Sequence, residues 1–117
     1  LGHPTSATLV DGTVWITTLS ASTLLGLDAR GRMVKGPRAP QGQLQGLRLI
    51  GDDEVVVTSR SGAQVLRGPL SGELGYLADD MDRPGHPGWD DGRRRVLVPG
   101  RRSGVVHVVH LPKEEGQ

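Results

Sequence analysis

Short runs of apolar residues punctuate the chain at regular intervals, and turn-forming residues precede each one. Val14-Trp15-Ile16-Thr17 returns as Val55-Val56-Val57-Thr58 and again as Val96-Leu97-Val98-Pro99, spaced by 41 residues both times. Thr23-Leu24-Leu25 stands 41 residues before Gln64-Val65-Leu66, and Val105 and Val106 follow Gln64 and Val65 at the same distance. Asp11-Gly12, Gly51-Asp52-Asp53 and Asp91-Gly92 sit ahead of the central runs. Those runs are apolar at successive positions, so a strand there needs cover on both faces. Glycine or proline interrupts every stretch long enough for more than about three helical turns, which leaves strands as the consistent reading.

Each unit divides into short strands. The first unit predicts strands over residues 7–10, 14–18, 23–27 and 32–35, with Asp11-Gly12 as a tight hairpin turn. The fourth strand is the most polar, as an outer strand should be. Gly36-Pro37-Arg38-Ala39-Pro40 then crosses to the next unit, proline ending the pairing. The second unit predicts strands over residues 47–50, 54–58, 64–67 and 73–77. The third predicts strands over residues 88–89, 94–98 and 105–111, then enters the polar tail Pro112-Lys113-Glu114-Glu115-Gly116-Gln117 with no fourth strand pattern.

A fixed period of this length, built from short strands, is the mark of a β-propeller blade array. The expected fold class is all-β, with three antiparallel propeller-type blades over roughly residues 1–40, 41–83 and 84–117. Three blades are too few to close a ring. Each end of the array would expose Val, Leu and Trp edges, and large apolar patches are unusual on soluble monomers. The expected cover is the remainder of a longer propeller, a second copy of the chain completing a ring, or a different protein partner. The chain begins with Leu1 and not Met, which favours the first of these.

Composition narrows the function classes. Gly 18 and Pro 8 make up over a fifth of the 117 residues, in keeping with many tight turns. Phe is absent and Tyr occurs once, so the core rests on Val, Leu and Ile, with Trp15 as its largest member. The formal net charge of +1 gives no overall field for nucleic acid or anionic membrane, and neither is expected as a partner. Without cysteine there is no disulfide framework and no thiolate metal site, which fits either redox compartment. No apolar run approaches the roughly 20 residues of a membrane span.

Asp11-Gly12-Thr13-Val14-Trp15-Ile16-Thr17, followed by Leu24-Leu25-Gly26-Leu27-Asp28-Ala29-Arg30-Gly31-Arg32-Met33-Val34, resembles one blade of a large bacterial propeller group. That group includes NHL-repeat, YVTN-type and virginiamycin B lyase-like proteins. The second unit keeps the frame with Val56 in place of the Trp and Pro69 in place of the Asp, and the third keeps the central run and its turn. The resemblance implies a parent of about six or seven blades. It also implies a choice of activities: protein-binding scaffolds, sugar-lactone hydrolases, and a lyase that opens a cyclic peptide using metal.

Few residues point to chemistry. His3 and His86 sit in matching Gly-His-Pro turns, with Gln43 at the middle copy, and histidines on one rim could line an opening. A loop consensus, with proline fixing the turn, is the stronger reading. His107 and His110 are three apart on a strand, hence on opposite faces and poor joint ligands. Arg101 and Arg102 lie in a glycine-flanked loop that could meet an acidic partner, and with the Arg93-Arg94-Arg95 run they read more simply as a solvated face. Trp89 could stack on a sugar, but an oligomeric sugar-binding module would carry a matching aromatic in every blade. Leu9 and Leu49 stand there instead, so core filling is the better account. Asp79-Asp80-Met81-Asp82 lacks a calcium-loop pattern. No cofactor is expected. The leading expectation is a non-enzymatic interaction scaffold, or part of one, contacting a protein through rim loops; part of a metal-dependent lactonase-like or lyase-like propeller is the alternative.

Overall fold

The computed structural model describes residues 3–19, 22–39, 43–60, 64–78, 84–100 and 104–111. Among these, the strands form three separate antiparallel sheets and no helix. Blade 1 runs β1 (Pro4–Val10), β2 (Thr13–Thr18), β3 (Thr23–Leu27) and β4 (Met33–Arg38), in that spatial order. Blade 2 repeats it with β5 (Leu44–Leu49), β6 (Glu54–Ser59), β7 (Gln64–Pro69) and β8 (Gly75–Ala78). Blade 3 has β9 (Gly88–Asp90), β10 (Arg95–Pro99) and β11 (Val106–His110). The body measures 39 × 37 × 19 Å. Its short dimension is about the length of a five- to six-residue strand, as in a flat wedge of blades.

Local chemistry sets the turns. Asp11 and Gly12 both take positive φ, 49° and 80°, the two-residue hairpin geometry that matches strand twist. The Leu-Asp-x-x-Gly-Arg stretch is a closed turn. One Asp28 carboxylate oxygen accepts the backbone N–H groups of Arg30 (2.9 Å) and Arg32 (2.8 Å), and the other accepts Arg32 Nε (3.0 Å). Gly31, at φ 78°, donates its N–H to the Asp28 carbonyl. A residue with a Cβ is disfavoured in that left-handed position.

The core lies between sheets. Val55 and Val57 of β6 join Trp15, Leu24 and Val10 of blade 1 in one buried cluster, with Leu44, Leu47, Leu66 and Leu74. Val56 and Val65 face the other way and join Val96, Val98 and Leu111 of blade 3, with Trp89 and Val109 against them. The consecutive apolar positions of β6 are thus covered by different neighbours, and Val55, Val56 and Val57 are all fully buried. The sheet-on-sheet stacking required by the 41-residue period is what the structure has.

Each blade begins with one extra residue in its first strand. Pro4 pairs with Thr18 while Ser6 pairs with Thr17, and Leu44 pairs with Ser59 while Gly46 pairs with Thr58. In blade 3, Gly88 pairs with Leu97 while Pro84 bridges Gly100, again four residues against three. These bulges carry β1 and β5 to Pro4 and Leu44, earlier than the expected starts at residues 7 and 47. The fourth strand of blade 1 also differs from expectation: it continues through Pro37 to Arg38. β4 is an edge strand, where a missing N–H leaves no ladder bond broken.

Candidate binding rim

Antiparallel order puts the starts of β1, β5 and β9 at one end of the blades, with the ends of β2, β6 and β10. At this end the seams are polar. Thr5 Oγ1 donates to the Leu44 carbonyl of the next blade at 2.8 Å and lies 2.9 Å from Thr17 Oγ1. Thr58, 41 residues after Thr17, reaches the Gly85 carbonyl directly at 2.9 Å. Gly46 allows that approach, because a Cβ there would lie 2.7 Å from Pro87 Cδ and 2.8 Å from His86 Cα. Thr17, Thr18, Thr58 and Ser59 are all buried polar groups. The Thr17 and Thr58 repeat was visible in the sequence; the interblade bonds, made by Thr58 directly and by Thr5 beside Thr17, were not, because they depend on the bulges.

His3 and Gln43 occupy the same place in successive blades. Both are exposed and left-handed, with φ of 52° and 57°. The His3 carbonyl accepts Leu19 N–H (3.1 Å), and the Gln43 carbonyl accepts Arg60 N–H (2.9 Å). His86 is not the third member of this set. The strand register makes it the counterpart of Gly46 and Ser6, three positions further into its blade than His3 is in its own. The apparent Gly-His-Pro match fails because first strands repeat every 40 residues and second strands every 41. His3 lies on blade 1 and exposed His86 on blade 3, with blade 2 between them.

Trp89 sits away from this rim, paired with Val96, half-buried in the second seam and 5.7 Å beneath the Arg94 guanidinium. Arg101 and Arg102 lie outside the described residues, as do residues 79–83 with their acidic run. His107 and His110 fall on opposite faces of β11, half-buried and exposed. His107 Nε2 is buried without a hydrogen-bond partner, at the position held by Leu66 in blade 2.

The perturbed carboxylates belong to turns at the opposite end. The Arg32 backbone N–H, then that of Arg30 and the Arg32 side chain, holds the Asp28 carboxyl below its ordinary value of 3.8. Asp90 is lowered as well, first by the Arg95 side chain (Nε at 2.9 Å) and then by Arg93. Among the described residues, no three His, Cys, Asp or Glu side chains come together as a metal site. A cavity of about 360 Å³ opens at Arg38, Ala39, Glu73 and Leu74, where blade 1 meets blade 2.

No family model matches this sequence, and no curated protein matches it. Solved structures do. A virginiamycin B lyase from Staphylococcus aureus superposes with a TM-score of 0.65 at 19% identity, covering 96% of this chain and 42% of that one. A catalytically inactive histidine-to-alanine form of the same lyase, solved with quinupristin, gives 0.65 at 20% identity with the same coverage. A streptogramin B lyase structure gives 0.62 at 17% identity, covering 97% of this chain and 42% of that one. The chain therefore has the fold of a propeller segment spanning less than half the length of those lyases.

Proposed function

We propose that these three blades form part of a non-enzymatic propeller scaffold that binds a protein partner at the rim where the inner strands begin. The observation that carries this reading is the pair His3 and Gln43. Two exposed non-glycine residues hold left-handed backbone at equivalent sites, each fixed by a backbone hydrogen bond. Such conformations cost of order 1–3 kcal/mol each and concentrate where side chains are displayed for function. The rim offers two histidines, His3 and His86, at non-equivalent positions, with Gln43 on the blade between them, which suits one irregular protein surface better than a symmetric ligand.

The chain lacks cysteine, so single thiols can be placed at will. A photocrosslinker on Gln43→Cys or His86→Cys is expected to yield one defined adduct in the native cell, and one on exposed Arg30→Cys, at the far end, is expected to yield none. Equal labelling from both ends would overturn the assignment.

A second reading follows from the likeness to lyases, one of them solved with quinupristin. It makes the same rim part of a lyase-like site, with His3 and His86 as its histidines. Incubation with quinupristin in the presence of divalent metal ions, followed by chromatography, separates the two. Unchanged quinupristin is expected. Conversion that disappears in His86→Ala would replace the scaffold reading with the enzymatic one.

A further inference from the structure

We propose that the cavity at the outer mouth of the first seam is a binding site for a small zwitterion with an apolar body, of the free α-amino acid class. Its volume is about 360 Å³, at the small end of the roughly 300–1,000 Å³ that small-molecule sites span. The two walls come from different blades. Arg38 ends β4 and Ala39 follows it, while Glu73 and Leu74 lead into β8. The Leu74 N–H donates to the Arg38 carbonyl at 3.1 Å, which ties one wall to the other.

Both walls are held in place by the fold. Ala39 and Leu74 are only 3% and 4% exposed, so the apolar part of the cavity belongs to the packed seam. The Ala39 N–H donates to the Ser22 carbonyl at 2.7 Å. On the other side, the Leu70 N–H donates to the Asp53 carbonyl at 2.7 Å, and the Gly72 N–H to the Pro69 carbonyl at 3.2 Å. Gly68 lets this segment press onto β7, because a Cβ there would run into the Glu73 carbonyl oxygen and lie 3.1 Å from Leu74 Cα. Exposed Tyr76 pairs with Leu66, a first-seam residue, and so stands on the same face two positions after Leu74. A site fixed in this way costs little ordering when a ligand arrives.

The charges select the ligand. Arg38 and Glu73 bring opposite signs from opposite blades to one cavity. Among the described residues neither has an ion pair or a side-chain hydrogen bond, whereas Arg32, Arg67 and Arg95 are spent on Asp28, Glu54 and Asp90. A simple anion drawn to Arg38 also meets the Glu73 carboxylate, and a simple cation drawn to Glu73 meets the guanidinium, so each is disfavoured. A molecule carrying both charges answers both. Its carboxylate takes the guanidinium fork, its ammonium takes Glu73, and its side chain covers Ala39 and Leu74, with Tyr76 beyond them.

L-leucine serves as the probe, titrated into the 117-residue chain with amide NMR as the readout. The Ala39, Glu73 and Leu74 signals are expected to shift at millimolar ligand, with those of β10 unmoved. N-acetyl-L-leucine lacks the ammonium and L-leucinamide lacks the carboxylate, so each should bind at least about tenfold more weakly. Arg38→Gln and Glu73→Gln should each weaken L-leucine by about the same factor while the rest of the spectrum is retained. No response to millimolar L-leucine, or equal binding of the three ligands, would overturn the proposal, and both results are read on the parent chain. Variants that bind as tightly as the parent would overturn it too. The rim reading rests on the inner strands, and none of these outcomes touches it.

Discussion

Removing the Trp15 ring is the sharpest probe of the stacked-sheet architecture. Trp15 is only 8% exposed and packs in the first seam with Leu24, Leu44, Val55, Val57 and Leu66. Its ring lies over two glycines of its own blade. A Cβ on Gly26 would sit 3.0 Å from Cζ3, and one on Gly36 2.5 Å from the same atom and 3.0 Å from the Leu24 carbonyl. Trp15→Ala removes the largest group in the seam, and two strands bordering the void cannot collapse without losing their pairing. The expected loss is about 3–5 kcal/mol. Against a typical total of about 5–15 kcal/mol, that is a large fraction. At about 4 °C per kcal/mol, melting should fall by roughly 12–20 °C. Gly36→Ala alone should cost roughly 1–3 kcal/mol, because its methyl meets the ring. In the Trp15→Ala background that methyl enters the vacated space, so the two losses should fall short of additivity by about 1 kcal/mol or more. Thermal and urea melts followed by far-ultraviolet circular dichroism give all four corners of the cycle. A Trp15→Ala protein melting within about 3 °C of the parent, or strict additivity with Gly36→Ala, would refute the placement of the ring.

Thr58→Val keeps the shape but leaves the buried Gly85 carbonyl without its donor. It should lower stability by about 1–3 kcal/mol in a urea melt, and a neutral result would show that the hydroxyl does not clasp blades 2 and 3. His107→Leu installs the residue that blades 1 and 2 carry at Leu25 and Leu66, and removes a buried nitrogen with no partner. It should raise stability by about 1 kcal/mol, and a lower melting temperature would argue that the imidazole is satisfied in solution. Asp28 and Asp90 have folded-state pKa values depressed below 3.8 by hydrogen bonds from Arg32 and Arg95. Their contribution is therefore present above about pH 4 and is lost as pH falls through the lower folded value. Melting temperatures of the parent, Asp28→Asn and Asp90→Asn should differ near neutrality and draw together as acid carries the pH through the lowered folded values; a gap that does not narrow on acidification would show the carboxylates act by another route.

Strand positions were legible because the chain writes them twice over, in apolar runs and in the turns that bound them. Val55, Val56 and Val57 announced cover on two sides, and the two seam clusters supply it. Asp11-Gly12 and Asp28 to Gly31 announced turns, which the structure shows by positive φ at both residues of the first and by the hydrogen bonds of the second. The start of each blade was harder. A bulge shifts the repeat by one residue within a single unit, and nothing in the local composition of Pro4-Thr5-Ser6 or Leu44-Gln45-Gly46 marks it. That shift misled the pairing of His3 with His86. Pro37 also misled, since proline ends a central strand but not an edge. The Trp15 ring over Gly26 and Gly36 was hidden for a different reason. The partners lie on neighbouring strands, and only the register shows that blade 2 has replaced the Trp15 and Gly26 pair with Val56 and Arg67.

The two-sided cladding of β6 has a bearing on how this chain comes apart. Blade 2 owns no private interior: one half of its apolar side chains is sheltered by the sheet before it and the other half by the sheet after it. Stripping away either neighbour leaves valines wetted on a strand that cannot turn them elsewhere. Unfolding should therefore proceed as one concerted event across all three sheets, and a blade excised by itself should remain a loose hairpin assembly without a fixed shape.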